Sequence, residues 1–159
     1  MRIHTVIIAV AIGALLTSCG SPPPAPPAES AKPAATVKPP DESRRFSSAH
    51  LVSTEVIGQQ LLGKSFMPGG TLAHYKNGKT DYTEFIAKLP TAQDAAFLLP
   101  DWRKELAGAK LVPSFGGYFG QDAGRPVFVF AKNAWIAGVA GLPEKDADLA
   151  ARALAAHLD

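Results

Sequence analysis

Hydrophobic and polar positions divide the chain into three regimes. An almost unbroken apolar run from Ile3 to Leu16 comes first, then a proline-rich stretch with hardly any large side chains. From about Phe46 onward, helical and strand periods alternate as they do in a folded domain. Within His50 to Leu62, the residues Val52, Val56 and Ile57 fit the stripe of a short helix. Thr71 to Leu89 is interrupted by Asn77-Gly78, a dipeptide that accepts positive φ at both central positions of a type I′ turn, which predicts a two-residue β-hairpin. In that register Lys76 faces Lys79, Tyr75 faces Thr80, His74 faces Asp81 and Leu72 faces Thr83. One face of the hairpin then carries Leu72, His74, Asp81, Thr83 and Phe85, and the other Ala73, Tyr75, Tyr82, Glu84 and Ile86.

Thr91-Ala92-Gln93-Asp94 has the form of a capping box opening a helix. Ala92, Ala95, Ala96, Leu99, Trp102 and Leu106 recur at helical spacing, and Pro100 should kink that helix or split it. Lys110 to Phe119 reads as a strand with irregularities at Pro113 and Gly116-Gly117. Pro126 to Lys132 is apolar on both sides, the mark of a central strand, and Asn133 turns it into Trp135 to Gly141. Glu144 to Leu158, opened by Pro143 and by acids in its first turn, predicts a helix with Ala147, Ala150, Ala151, Leu154 and Leu158 as its apolar stripe. The expected fold is therefore α+β, an antiparallel sheet of about five strands with two helices on one face. Each half has a Gly-Gly, a hairpin, a Leu-Pro and an alanine-rich helix, a rhyme consistent with a duplicated ββα unit.

The first regime changes the picture of where this domain resides. Arg2 supplies a positive start, and the apolar run behind it, at roughly 12–14 residues, is shorter than the ~20 that a helix needs to span a bilayer. A short run of this kind followed by small residues is a cleavable export signal. Leu16-Thr17-Ser18-Cys19 resembles the lipobox of bacterial lipoproteins, an aliphatic residue and two small ones before cysteine. The resemblance covers the first twenty or so residues. It implies a signal peptide over 1–18, a diacylglycerol thioether on Cys19 and a mature chain that begins at that residue. Gly20 follows in place of the Asp that favours inner-membrane retention in enterobacteria. The resemblance thus implies an outer-membrane protein facing the periplasm where the host is Gram-negative. Cys19 is the sole cysteine, so no internal disulfide can form, and acylation would consume its thiol. Two or three acyl chains at ~0.8 kcal/mol per buried CH₂ hold a protein where one barely does.

Between Cys19 and Arg45 lie eight of the chain's fourteen prolines. With Val37 as the one sizeable apolar group after the prolines begin, this segment cannot bury enough surface to offset its own ordering. It reads as a tether of extended polyproline type over residues 19–45, carrying one globular domain over residues 46–159.

Charge and candidate chemistry narrow the function less sharply. From Phe46 to Asp159 acidic and basic residues balance at eleven each, which gives no basic face for nucleic acid. The expected cross-strand pair His74–Asp81 is the one catalytic lead, because a carboxylate beside an imidazole raises its basicity and fixes its tautomer. No nucleophile is set beside it by sequence, and His50, His74 and His157 lie at no metal-ligand spacing. Gly116-Gly117-Tyr118-Phe119-Gly120 lacks the Lys-Ser/Thr of a phosphate loop. No cofactor is implied. Tyr75, Tyr82, Tyr118 and Phe119 are candidates to line the sheet face left open by the helices and to bind a ligand there. The expectation is a lipid-anchored envelope protein whose domain is a non-enzymatic module for a partner protein or small ligand. The alternative is an envelope hydrolase built on His74 and Asp81.

Overall fold

The computed structural model describes residues 38–159. The export signal, Cys19 and the tether up to Val37 lie outside the described residues. The class is as the patterning predicts, α+β on an antiparallel sheet, but the sheet has seven strands rather than about five. They are β1 (Leu51–Gln59), β2 (Pro68–Asn77), β3 (Thr80–Lys88), β4 (Ala107–Val112), β5 (Gly117–Asp122), β6 (Arg125–Lys132) and β7 (Trp135–Ala140). Their order is β1-β2-β3-β7-β6-β5-β4, so two meanders meet where β3 pairs with β7. The helices are α1 (Ala92–Phe97), α2 (Leu99–Glu105) and α3 (Glu144–Ala155).

Two differences account for the extra strands. The segment expected to be a helix, His50 to Leu62, contributes edge strand β1, because β2 supplies a backbone ladder from Leu51↔Tyr75 to Gln59↔Pro68. Its apolar stripe is too sparse to bury a helix face, and most of β1 remains exposed. The segment Lys110 to Phe119 is two strands, folded back at Val112, whose carbonyl accepts from the amides of Phe115 and Gly116. Gly116 takes φ +65° there, a conformation glycine adopts without penalty.

The helices also part company with expectation. Instead of sharing one face, they cover both. Phe128, Phe130, Ala137 and Val139 pack with Ala147, Ala151, Leu154 and Leu158 of α3 and its C-terminal turn. Val127, Val129, Ile136, Phe85 and Ala87 pack on the other side with Trp102 and Leu106, at α2. A ββα unit repeated about an axis normal to the sheet would keep both helices on one side. The two stretches β2-β3-α1/α2 and β6-β7-α3 are therefore not superposable repeats. The unbroken apolar run of β6 from Val127 to Ala131, and the wholly buried β7, are what a sheet covered on both faces requires.

Local signals read from sequence survive in detail. Thr91 caps α1, its side chain accepting from the Asp94 amide at 3.1 Å. Pro100 falls in the first turn of α2, where its missing N–H costs nothing, and divides α1 from α2. Gly138 sits directly opposite Phe85, and its bare Cα makes room for that ring. The described chain from Pro39 to Arg45 is packed on the domain rather than free. Glu42 and Phe46 are buried, and the Glu42 amide donates to Thr71 Oγ1 at 3.3 Å.

Candidate functional site

The β2–β3 hairpin forms, but its turn is one residue further on than Asn77-Gly78 at its centre. Asn77 pairs with Thr80, so Gly78 and Lys79 are the central residues. Gly78 alone takes positive φ, +63°, the sign pattern of a II′ turn with glycine first. Every cross-strand partner consequently moves by two. Asp81 stands opposite Lys76, Thr83 opposite His74 and Tyr82 opposite Tyr75. A shift of two preserves the faces, so the alternation read from sequence holds while the proposed His74–Asp81 pair does not form. Asp81 instead lies 3.7 Å from the Lys76 ammonium, both side chains well exposed.

His74 and Asp81 nevertheless border the same open cleft of about 380 Å³ at this end of the sheet, with Val52, Lys76, Thr83, Arg125 and two of the expected ligand-binding aromatics, Tyr75 and Tyr82. Arg125 opens β6, immediately after the tight turn in which Ala123 and Gly124 both have positive φ. Its Nη2 donates to Thr83 Oγ1 at 3.1 Å and to the carbonyl of Ala140 at 3.0 Å. Thr83 Oγ1 in turn lies 3.4 Å from His74 Nδ1. The Thr83 hydroxyl, with one hydrogen and two lone pairs, can meet Nδ1 as donor or as acceptor while it accepts from Arg125. Three side chains from β2, β3 and β6 are thereby joined across the sheet.

The four aromatic candidates do not share a surface. Tyr75 and Phe119 are buried on the α3 face, and half-buried Tyr82 lies on that face too. Tyr118 points to the opposite face, where Arg103 of α2 lies 5.9 Å from its ring centroid. No open sheet face exists for them to line, since both faces carry helices. Tyr75 and Tyr82 stack with centroids 4.8 Å apart, and the Tyr75 hydroxyl donates to the Ser47 carbonyl at 3.0 Å. Next to them Glu84 is a carboxyl inside the core. Burial pushes it up to about 7, against a weaker opposing effect of the neighbouring Tyr75 hydroxyl. Burial, and then the nearby Glu84, raise both tyrosine hydroxyls.

Arg125, Thr83 and Glu84 were not singled out by sequence reasoning. For Arg125 no local signal exists, since its partners lie on strands brought together by the β3–β7 pairing. Glu84 did carry a signal, an acid on the otherwise apolar side of the hairpin. Among the described residues no group of three or more His, Cys, Asp or Glu is placed to hold a metal ion. Against known protein families, characterised proteins and solved structures, the chain has no significant match.

Proposed function

We propose that the chain is a cell-envelope protein anchored by lipid on Cys19, at the outer membrane facing the periplasm where the host is Gram-negative. Its domain is a non-enzymatic binding module that meets its ligand or partner at the hairpin-end cleft. The observation that carries this reading is the position of the chain's entry into the domain. Pro39 and Pro40 lie against Gly70, Lys88 and Trp135, at the opposite end of the sheet from the cleft. From Gly70 to Lys76 the β2 strand covers roughly 20 Å at ~3.3 Å per residue. A tether leaving at Pro39 holds the domain by one pole and leaves the cleft at the other. The hydrolase reading rested on a His74–Asp81 pair, and Asp81 stands opposite Lys76 instead.

The test places a photoreactive side chain in the full-length protein in cells, at position 76 on the cleft rim or at position 132 near the tether pole. Membrane fractionation is followed alongside, for the wild type and Cys19→Ala. Adducts of defined mass from position 76 and not 132, with membrane association lost in Cys19→Ala, are expected. A Cys19→Ala protein that stays wholly with membranes would overturn the anchor. Absence of any adduct at position 76 would overturn the binding module.

A further inference from the structure

Arg125 differs from the other arginines whose side chains the fold fixes. Arg45 is held by Glu42 at 2.9 Å and Arg152 by Asp148 at 2.9 Å, each a charge met by a carboxylate. Arg125 is fixed by two neutral oxygens, Thr83 Oγ1 and the Ala140 carbonyl, and makes no ion pair among the described residues. Both contacts use Nη2. A guanidinium has five N–H donors, so with Nη2 engaged the Nε and Nη1 hydrogens are without a partner among the described residues. Room for the guanidinium is built into the backbone. A Cβ at Gly141 would sit 3.0 Å from Nη2 and 3.2 Å from Nε.

The groups around this guanidinium are of suitable kind. His74 is joined to it through Thr83 Oγ1. Lys76 adds a cation at the rim, and its pairing with Asp81 offsets the one acid in the cleft. Resting on the binding-module reading above, we infer that the cleft takes a small oxyanion-bearing molecule, its carboxylate or phosphate received by the Arg125 guanidinium with His74 beside it. Thr83 is the positioning residue: its hydroxyl holds Nη2 and orders His74 through Nδ1. An oxyanion meeting a pre-fixed guanidinium spends little side-chain entropy on binding.

The experiment titrates the intact full-length protein with sodium phosphate and, separately, with sodium acetate, against sodium chloride at matched ionic strength. Binding is followed by the ring signals of His74 in NMR spectra, with His50 and His157 as internal controls. Saturable movement of the His74 signals with one of the oxyanions and not with chloride is expected, and which probe acts distinguishes a tetrahedral from a planar ligand group. Arg125→Met, its fold checked by circular dichroism, should weaken that binding at least tenfold, and Thr83→Val several-fold. Arg125→Lys should fail to restore it. No saturable response beyond chloride, or full rescue by lysine, would overturn the oxyanion site. If position 76 still gives adducts in cells, that failure removes the ligand class and leaves the binding module standing.

Discussion

The guanidinium of Arg45 lies over the ring of Trp135, 4.5 Å from its centroid. The same side chain donates to the carbonyl of His157 at 2.6 Å and pairs with buried Glu42. One residue thus ties the chain's entry into the domain to β7 and to the C-terminal turn beyond α3.

Removing the clasp has a calculable consequence. Arg45→Ala forfeits a partly buried cation–π contact and a charged hydrogen bond, and leaves Glu42 with only the exposed Arg44 at 3.7 Å. About 2 kcal/mol of stability should be lost. Thermal denaturation should show a midpoint roughly 8 °C lower. Arg45→Lys should recover under half of that, since an ammonium cannot both lie flat on the indole and bridge two oxygens. A variant melting with the wild type would show that the segment before Phe46 contributes nothing to the fold.

Glu84 makes stability depend on pH in a particular direction. Burial raises its folded value from 4.5 to about 7, so the native state holds the proton more tightly than the unfolded chain does. The stabilisation is complete below the ordinary carboxylate range and is lost as pH rises through about 7. Its size is on the order of 3 kcal/mol. Denaturant midpoints measured from pH 5 to pH 8 should fall with pH in the wild type. In Glu84→Gln that slope should flatten and the variant should exceed the wild type at pH 8. Equal slopes in the two proteins would refute a buried, proton-holding Glu84.

Gly138 is where β7 makes way for the core beneath α2. A Cβ there would lie 2.4 Å from Cζ of Phe85 and 2.3 Å from the Phe128 carbonyl oxygen. Phe85 is fully buried and stacks on Trp102 at 5.8 Å, so its ring has nowhere to retreat. Gly138→Ala should cost about 1–3 kcal/mol or more through overpacking. Gly138→Ala combined with Phe85→Leu should be less destabilised than the two single effects added together, a coupling that chemical denaturation of all four proteins would read. Strict additivity would mean that the ring does not cause the strain.

Legibility in this chain follows the range of the interaction. Thr91 and Asp94 are three residues apart, and the cap they form was plain from their spacing. Pro100 announced the break between α1 and α2 through its missing donor. The apolar alternation of Val127 to Ala131 marked a central strand without reference to anything distant. The hairpin shows the boundary of such reasoning. Asn77-Gly78 signalled a turn correctly, but the choice between Asn77-Gly78 and Gly78-Lys79 as its centre is a small local difference. It is settled by the ladders on either side, β1 to β2 and β3 to β7. That choice separated His74 from Asp81 and joined it to Thr83.

By itself the sequence determined the class, the antiparallel hairpins, the positions of α1, α2 and α3 and the alternation that puts each strand residue on its face. These depend on steric and hydrogen-bonding preferences acting over a few residues. The tertiary structure alone decided that β1 is a strand, because its backbone partners sit on β2. It also decided that the helices cover opposite faces, because a helix stripe records that it must be buried but not on which side of the sheet. And it alone brought Arg125 to Thr83 and His74, since the three are joined by the packing of two meanders whose pairing is written in no local pattern.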